Sequence, residues 1–91
     1  MPEVHHAKVF FSGRVQGVGF RFQTLQVARE FEVAGRVSNL PDGRVALEVE
    51  GEIGEVKAFV AAVQERMDGF IRQTEQTGAT RVPQFYGFEI A

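Results

Sequence analysis

Three glycines within a stretch of seven residues separate two segments of different periodicity near the start of the chain. Before them, the apolar run Val9-Phe10-Phe11 has the character of a strand, and after them the residues from Thr24 to Phe31 follow helical spacing. Glycine lets the backbone take positive φ and lets a ligand approach closely. The stretch 13–19 therefore predicts a strand-to-helix turn.

The residues around this turn have the character of an anion site. The helix that follows presents its free N–H groups and the positive end of its dipole to the glycines. Arg21 adds a guanidinium, whose fork of donors can bind a phosphate through two hydrogen bonds. The spacing matches neither the P-loop nor the dinucleotide-binding fingerprint. We interpret the stretch as a phosphate site; the alternative is an ordinary glycine turn beside a solvated arginine.

Hydrophobic periodicity and turn residues predict the order of the elements. They are a strand over 7–12, a helix over 21–32, strands over 33–39 and 44–50 joined by a turn at Pro41-Asp42-Gly43, a helix that ends at Asp68-Gly69, a polar edge strand over 70–77, a loop over 78–84 and a strand over 85–90. The strand over 44–50 alternates, which predicts Val45, Leu47 and Val49 inward and Ala46, Glu48 and Glu50 outward. The last strand is predicted to place Tyr86, Phe88 and Ile90 on one face. This βαββαβ order predicts an α+β, ferredoxin-like sandwich, with two helices on one face of a mostly antiparallel sheet of four to five strands.

Composition limits the classes of function. The 91 residues suffice for one domain, 1–91, with a single core. Cysteine is absent, which excludes disulfides and thiolate metal sites. The adjacent His5 and His6 point to opposite faces of a strand and cannot readily share a metal. We therefore expect no metal site, and we expect no cofactor. The net charge of −2 argues against a nucleic-acid partner. Without an apolar leader or a membrane-length stretch, we expect a cytoplasmic protein with no membrane partner. We also expect it to be a monomer.

The predicted topology brings a second polar side chain to the glycine turn. In a right-handed β-α-β unit the two strands run parallel and end at the same edge of the sheet. A helix over 21–32 spans about 18 Å. The returning strand over 34–39 spans about 20 Å. Because these lengths match, Asn39 should lie beside the turn and Arg21.

The run Gly13-Arg14-Val15-Gln16-Gly17-Val18-Gly19-Phe20-Arg21 resembles the signature of the acylphosphatase family. The segments 35–39 and 41–45 are similar to the family's second signature, and 85–90 resembles its C-terminal strand. The resemblance extends from Ala7 to Ile90. The chain departs from the residues usual in the family at Glu32 (commonly glycine), Arg36 (usually tryptophan) and Ser38 (often basic).

This resemblance implies a hydrolase that cleaves the carboxyl–phosphate bond of acyl phosphates without a metal, giving a carboxylate and inorganic phosphate. It implies that Arg21 binds the phosphoryl group and that Asn39 positions the attacking water. It also implies a phosphate cradle, which would hold inorganic phosphate or a similar anion, made by the backbone N–H groups of Val15, Gln16, Gly17, Val18 and Gly19.

The few groups in this set suffice for the reaction. The leaving carboxylate has a conjugate acid with a pKa of roughly 4, so no general acid is required. Phosphoryl transfer through a loose transition state needs mainly positioning and charge stabilisation.

Two other functions fit the pattern less well. An RNA-binding module would carry a ribonucleoprotein signature and a basic surface. A sensor of phosphorylated metabolites would not need Asn39.

Overall fold

The computed structural model describes residues 2–91, which form five strands and two helices. In chain order these are β1 (Val4–Gly13), α1 (Phe20–Ala28), β2 (Val33–Asn39), β3 (Val45–Gly51), α2 (Ile53–Arg66), β4 (Ile71–Arg81) and β5 (Phe88–Ile90). The strands form one sheet in the order β4-β1-β3-β2-β5, in which only β2 and β5 are parallel neighbours. The predicted ferredoxin-like α+β fold is confirmed.

The core lies between the sheet and the two helices. Alternate residues of β3 (Val45, Leu47 and Val49) are completely buried, as their alternation predicted. The ring of Phe59 in α2 packs edge-on against Phe88 of β5, with the ring centroids 5.5 Å apart. Burial of this apolar surface is the main force that holds the helices to the sheet. No helix within residues 2–91 has both the length and the hydropathy needed to cross a membrane.

The first helix is shorter than predicted. It ends at Ala28 rather than at 32, and the chain continues in a tighter turn where the Phe31 N–H donates to the carbonyl oxygen of Ala28 at 3.2 Å. The N–H of Glu32 then donates to the carboxylate of Glu55 in α2 at 2.8 Å, which draws the chain away from the helix axis. Helical spacing extended to Phe31 because this ring still packs on the core.

The prediction for β4 was wrong at its C-terminal end. We expected a strand over 70–77 and a loop over 78–84, whereas β4 continues to Arg81. The added residues pair with the start of β1, where Ala7 lies opposite Gly78 and Val4 lies opposite Arg81. The strand does lie at an edge of the sheet, as expected. Most of its side chains are exposed, so its sequence has no alternation of apolar and polar residues. Such alternation is the signal from which the end of a strand is predicted.

The last strand is also shorter than predicted, with only Phe88–Ile90 of 85–90 in the sheet. The prediction that Tyr86 shares a strand face with Phe88 and Ile90 is wrong, because Tyr86 lies in the loop before β5 and its side chain is fully exposed. That loop is held by Glu50, whose Oε1 accepts the N–H groups of Gln84 at 2.8 Å and Phe85 at 3.0 Å. We expected Glu50 to face solvent, but under this loop it is only 3% exposed.

Candidate active site

A cavity of about 190 Å³ opens where the glycine turn, the start of α1 and the end of β2 meet. Its lining residues are Val15, Gly17, Gly19, Phe20, Arg21, Phe22, Asn39 and Ile90. Pockets for drug-sized ligands usually measure ~300–1,000 Å³. The cavity is therefore suited to a small group, with the remainder of a substrate outside it.

The turn is fixed at both ends by core residues. Val15 is 1% exposed and Phe20 is 2% exposed, so the loop between them has little freedom to move away from the sheet. The ring of Phe20 packs against that of Phe11 at the end of β1, with centroids 5.1 Å apart. This packing fixes the start of α1 against the sheet, and thereby the position of the next residue, Arg21.

Arg21 and Asn39 come to this cavity from separate elements. Arg21 lies in the first turn of α1, and Asn39 is the last residue of β2. Both β1 and β2 are antiparallel to β3, so they run parallel to each other and end at the same edge of the sheet. The two side chains line the same cavity, as the geometry of the β-α-β unit led us to expect. Their roles in binding and catalysis stay predictions.

Neither side chain is committed to another group in the described part of the chain. The ion pairs within residues 2–91 involve other basic residues, and none includes Arg21. The side-chain amide of Asn39 makes no hydrogen bond to any of these residues. A cation in the first turn of a helix is unfavourable next to the dipole unless an anion compensates it. Both groups are therefore available to a ligand.

The glycine turn supplies a run of backbone donors. Among residues 2–91, no acceptor receives a hydrogen bond from the N–H groups of residues 15–19. Gly17 and Gly19 both have a φ of 77°, a left-handed conformation that glycine takes without strain. The helix α1 has no acidic residue in its first turn, and no side chain of the described residues caps its start, so within residues 2–91 its first N–H groups are free as well. Successive free N–H groups of this kind form a concave site for an anion.

Two residues predicted for the cradle, Gln16 and Val18, do not line the cavity. Val18 is half-buried against the core. The Nε2 of Gln16 instead donates hydrogen bonds to the carbonyl oxygens of Leu40 at 2.8 Å and Arg44 at 3.0 Å. These bonds join the glycine turn to the β2–β3 turn that begins immediately after Asn39. Sequence reasoning missed this contact, because its partners lie 24 and 28 residues away.

Sequence reasoning also did not assign Phe22 and Ile90 to the site. Both line the cavity, yet Phe22 is 54% exposed and Ile90 is 40% exposed. Phe22 follows Arg21 in the chain and lies off the buried face of α1. This position could have indicated a role in the site, because a large apolar residue outside the buried face of a helix does not pack in the core. Ile90 reaches the site through the parallel pairing of β5 with β2, where it lies opposite Val37.

The polar groups that line the cavity make a set of hydrogen-bond donors. They are a guanidinium, a carboxamide and backbone N–H groups, which together suit a tetrahedral oxyanion. Within residues 2–91, no group of three His, Asp or Glu side chains is arranged to hold a metal ion. The positive charge and the N–H donors at this site are those of the chain's own guanidinium and backbone.

Comparisons with known proteins agree with this geometry. The family model described as acylphosphatase matches residues 7–90. An acylphosphatase from Archaeoglobus fulgidus is 49% identical over 57 residues, which are 63% of this chain and 64% of that protein. One from Rubrobacter xylanophilus is 38% identical over 94 aligned positions, covering 97% of this chain and 81% of the relative. The crystal structure of acylphosphatase from Bacillus subtilis matches with a TM-score of 0.85 at 29% identity, covering 96% of this chain and 98% of that one.

Proposed function

This chain is an enzyme of the acylphosphatase family, and we propose that it hydrolyses the carboxyl–phosphate bond of acyl phosphates to a carboxylate and inorganic phosphate. The observation that carries the proposal is the shared cavity. A guanidinium, a carboxamide and a run of N–H groups, none of them bonded to another group within residues 2–91, meet at one place. The match to the Archaeoglobus fulgidus relative spans only 64% of that protein, so we propose the activity for this chain rather than transfer it from the relative.

In the proposed mechanism, Arg21 binds the phosphoryl group. Its guanidinium forms two hydrogen bonds with phosphate oxygens, and N–H groups of the turn 15–19, foremost those of Val15, Gly17 and Gly19 that line the cavity, contact the others. Charge on these oxygens in the transition state is stabilised by donors that are already in position, which is the most effective form of electrostatic catalysis. These donors also provide the positive charge that a metal ion could supply, so we propose that the reaction is metal-independent.

Asn39 positions the attacking water in this mechanism. A carboxamide both donates and accepts hydrogen bonds, so it can fix the orientation of a water molecule. The water oxygen forms a bond to phosphorus, the bond from phosphorus to the acyl oxygen breaks, and its electron pair leaves with the carboxylate. Both hydrogens of the water remain on the phosphate, which is released as H₂PO₄⁻. No general acid is needed, because the leaving carboxylate is a weak base.

The test is to measure release of phosphate and carboxylate from acetyl phosphate and benzoyl phosphate in excess chelator. Turnover well above the spontaneous rate, lost in Arg21→Ala, would support the proposal. A rate no higher than the spontaneous one, from folded protein that still binds phosphate, would overturn it in favour of a sensor. Activity that the chelator abolishes and added divalent metal restores would overturn metal independence alone.

We also propose that residues 1–91 act as one domain and as a monomer in the cytoplasm. The proposal is supported by the one sheet and the one core cluster that residues 2–91 form, to which both helices contribute. The net charge of −2 favours an acyl phosphate over nucleic acid or an anionic membrane surface as the partner. Size-exclusion chromatography with light scattering tests the monomer, and a mass of twice the chain would overturn it.

A further inference from the structure

Two large apolar side chains stand at the opening of the cavity, and we call Phe22 and Ile90 the apolar rim. Other lining residues of comparable size, such as Phe20, are almost fully buried, whereas the rim residues keep about half of their surface in water. Single exposed apolar residues are normal on a protein surface. Two of them on the same small cavity, beside a guanidinium that forms no ion pair within residues 2–91, form a surface that a ligand could cover.

We propose that the apolar rim is the subsite for the acyl group, and that the enzyme prefers acyl phosphates with aromatic or branched apolar acyl groups to acetyl phosphate. The inference rests on the proposed function. If Arg21 and the N–H groups hold the phosphoryl group, the acyl carbon lies only one bridging oxygen away from phosphorus. The acyl group must then emerge at the opening of the cavity, which is where Phe22 and Ile90 lie.

One rim residue lies in the helix that carries Arg21, and the other lies in the strand that pairs with the strand of Asn39. Phe22 directly follows Arg21 in α1, and Ile90 lies in β5 beside β2, the strand that ends at Asn39. An acyl group between them would remove apolar surface of both side chains from water. Because the gain rises with the apolar area buried, a benzoyl ring gains far more there than an acetyl methyl.

The size of the rim argues for a small ligand rather than a protein partner. A stable protein interface buries about 800 Å² on each side. The other large apolar side chains with clear exposure (Ile53, Phe70, Val82 and Tyr86) do not line this cavity. Two side chains can cover a ring or a branched alkyl group, so the substrate's own acyl group is the occupant that fits.

The test compares kcat/KM for acetyl, isobutyryl and benzoyl phosphate in the wild type and in Phe22→Ala, Ile90→Ala and the double variant. We expect the wild type to favour benzoyl over acetyl phosphate. The ratio of the two kcat/KM values should fall about fivefold in each single variant, given the apolar surface lost. Most of the change should be in KM. Phe22→Leu should restore part of the preference.

Ile53→Ala and Tyr86→Ala are matched controls, because each removes an exposed apolar side chain that does not line the cavity. Both should keep the wild-type ratio. Phe22→Gln, which keeps good helix propensity, replaces Phe22→Ala if that variant unfolds. Turnover of all three substrates with the same ratio in every variant would overturn the rim proposal alone. Turnover of none of them by the folded wild type would overturn the proposed function and the rim proposal together.

Discussion

The side chain of Gln16 donates a hydrogen bond to the carbonyl oxygen of Leu40 across a distance of 2.8 Å. It thereby connects the glycine turn to the residue that follows Asn39. Its second bond goes to the carbonyl oxygen of Arg44, which also accepts the N–H of Leu40 at 2.8 Å and closes the β2–β3 turn. The two halves of the candidate site are far apart in sequence, and one carboxamide outside the cavity joins them.

From this contact we expect Gln16→Ala to lower kcat several-fold while the affinity for phosphate changes little. Arg21 stays in place in this variant, but the turn that follows Asn39 loses its hydrogen bonds to the glycine turn. The loss of two exposed hydrogen bonds should also cost about 1 kcal/mol of stability. Gln16→Glu is the matched variant, since it keeps the size but cannot donate. If Gln16→Glu turned over at the wild-type rate, hydrogen-bond donation by Gln16 would not be what positions Asn39.

Arg21→Ala should remove both phosphate binding and turnover. Arg21→Lys should also fail badly, because an ammonium cannot reproduce the two parallel donors of the fork. Phosphate affinity by calorimetry and release of phosphate from benzoyl phosphate measure the two effects. Arg14→Ala is the control, because it removes an exposed guanidinium from the same turn. The backbone N–H of Arg14 donates a hydrogen bond to the carbonyl oxygen of Phe70, which the substitution leaves in place. An equal loss in both alanine variants would mean that general positive charge, not the fork, binds phosphate.

Asn39→Ala should separate binding from catalysis. We expect phosphate affinity close to that of the wild type, with the activation barrier raised by ~3–4 kcal/mol, as when one oriented donor is removed from an active site. Ser38→Ala changes the neighbouring residue of β2, which does not line the cavity, and should keep activity. The division of roles would be wrong if Asn39→Ala and Arg21→Ala weakened phosphate binding to the same extent.

The sequence was most informative where apolar alternation and turn residues coincide. The bounds of β2 were predicted correctly as 33–39, because Pro41-Asp42-Gly43 marks its end and a buried β3 follows. The same topology placed Asn39 near Arg21 although α1 ends four residues earlier than expected. Because the crossover makes β1 and β2 parallel, both strands end on the same side of the sheet even with the shorter helix.

Sequence reasoning failed where long-range contacts decide the structure. The C-terminal part of β4 is defined by hydrogen bonds to β1, and these backbone bonds leave no pattern in its polar side chains. The loop before β5 is held by the buried carboxylate of Glu50, which local alternation assigned to solvent. Gln16 and Ile90 reach the candidate site through partners distant in the chain, so no local periodicity indicates them.

A group of charged residues on the other face of the sheet surrounds His6. Its Nε2 lies 3.8 Å from the carboxylate of Glu48, and its Nδ1 lies 3.8 Å from that of Glu50. Burial lowers the pKa of His6 below 6.5, and the nearby Arg81 and Lys8 lower it further against the opposing effect of the two carboxylates. His6 is therefore a weaker base in the folded chain than in the unfolded one.

This shift predicts that stability falls as the pH is lowered from about 7 to 5. Below pH 6.5 the unfolded chain binds a proton at His6 that the folded chain does not yet accept, so protons favour unfolding, with a slope of at most ~1.4 kcal/mol per pH unit for one group. Urea unfolding at several pH values measures the slope in the wild type and in His6→Gln, which should flatten it. His5→Gln, on the opposite face of β1, removes a histidine without disturbing the Glu48 and Glu50 contacts and should retain the slope. An unchanged slope in His6→Gln would show that other groups control stability in this range.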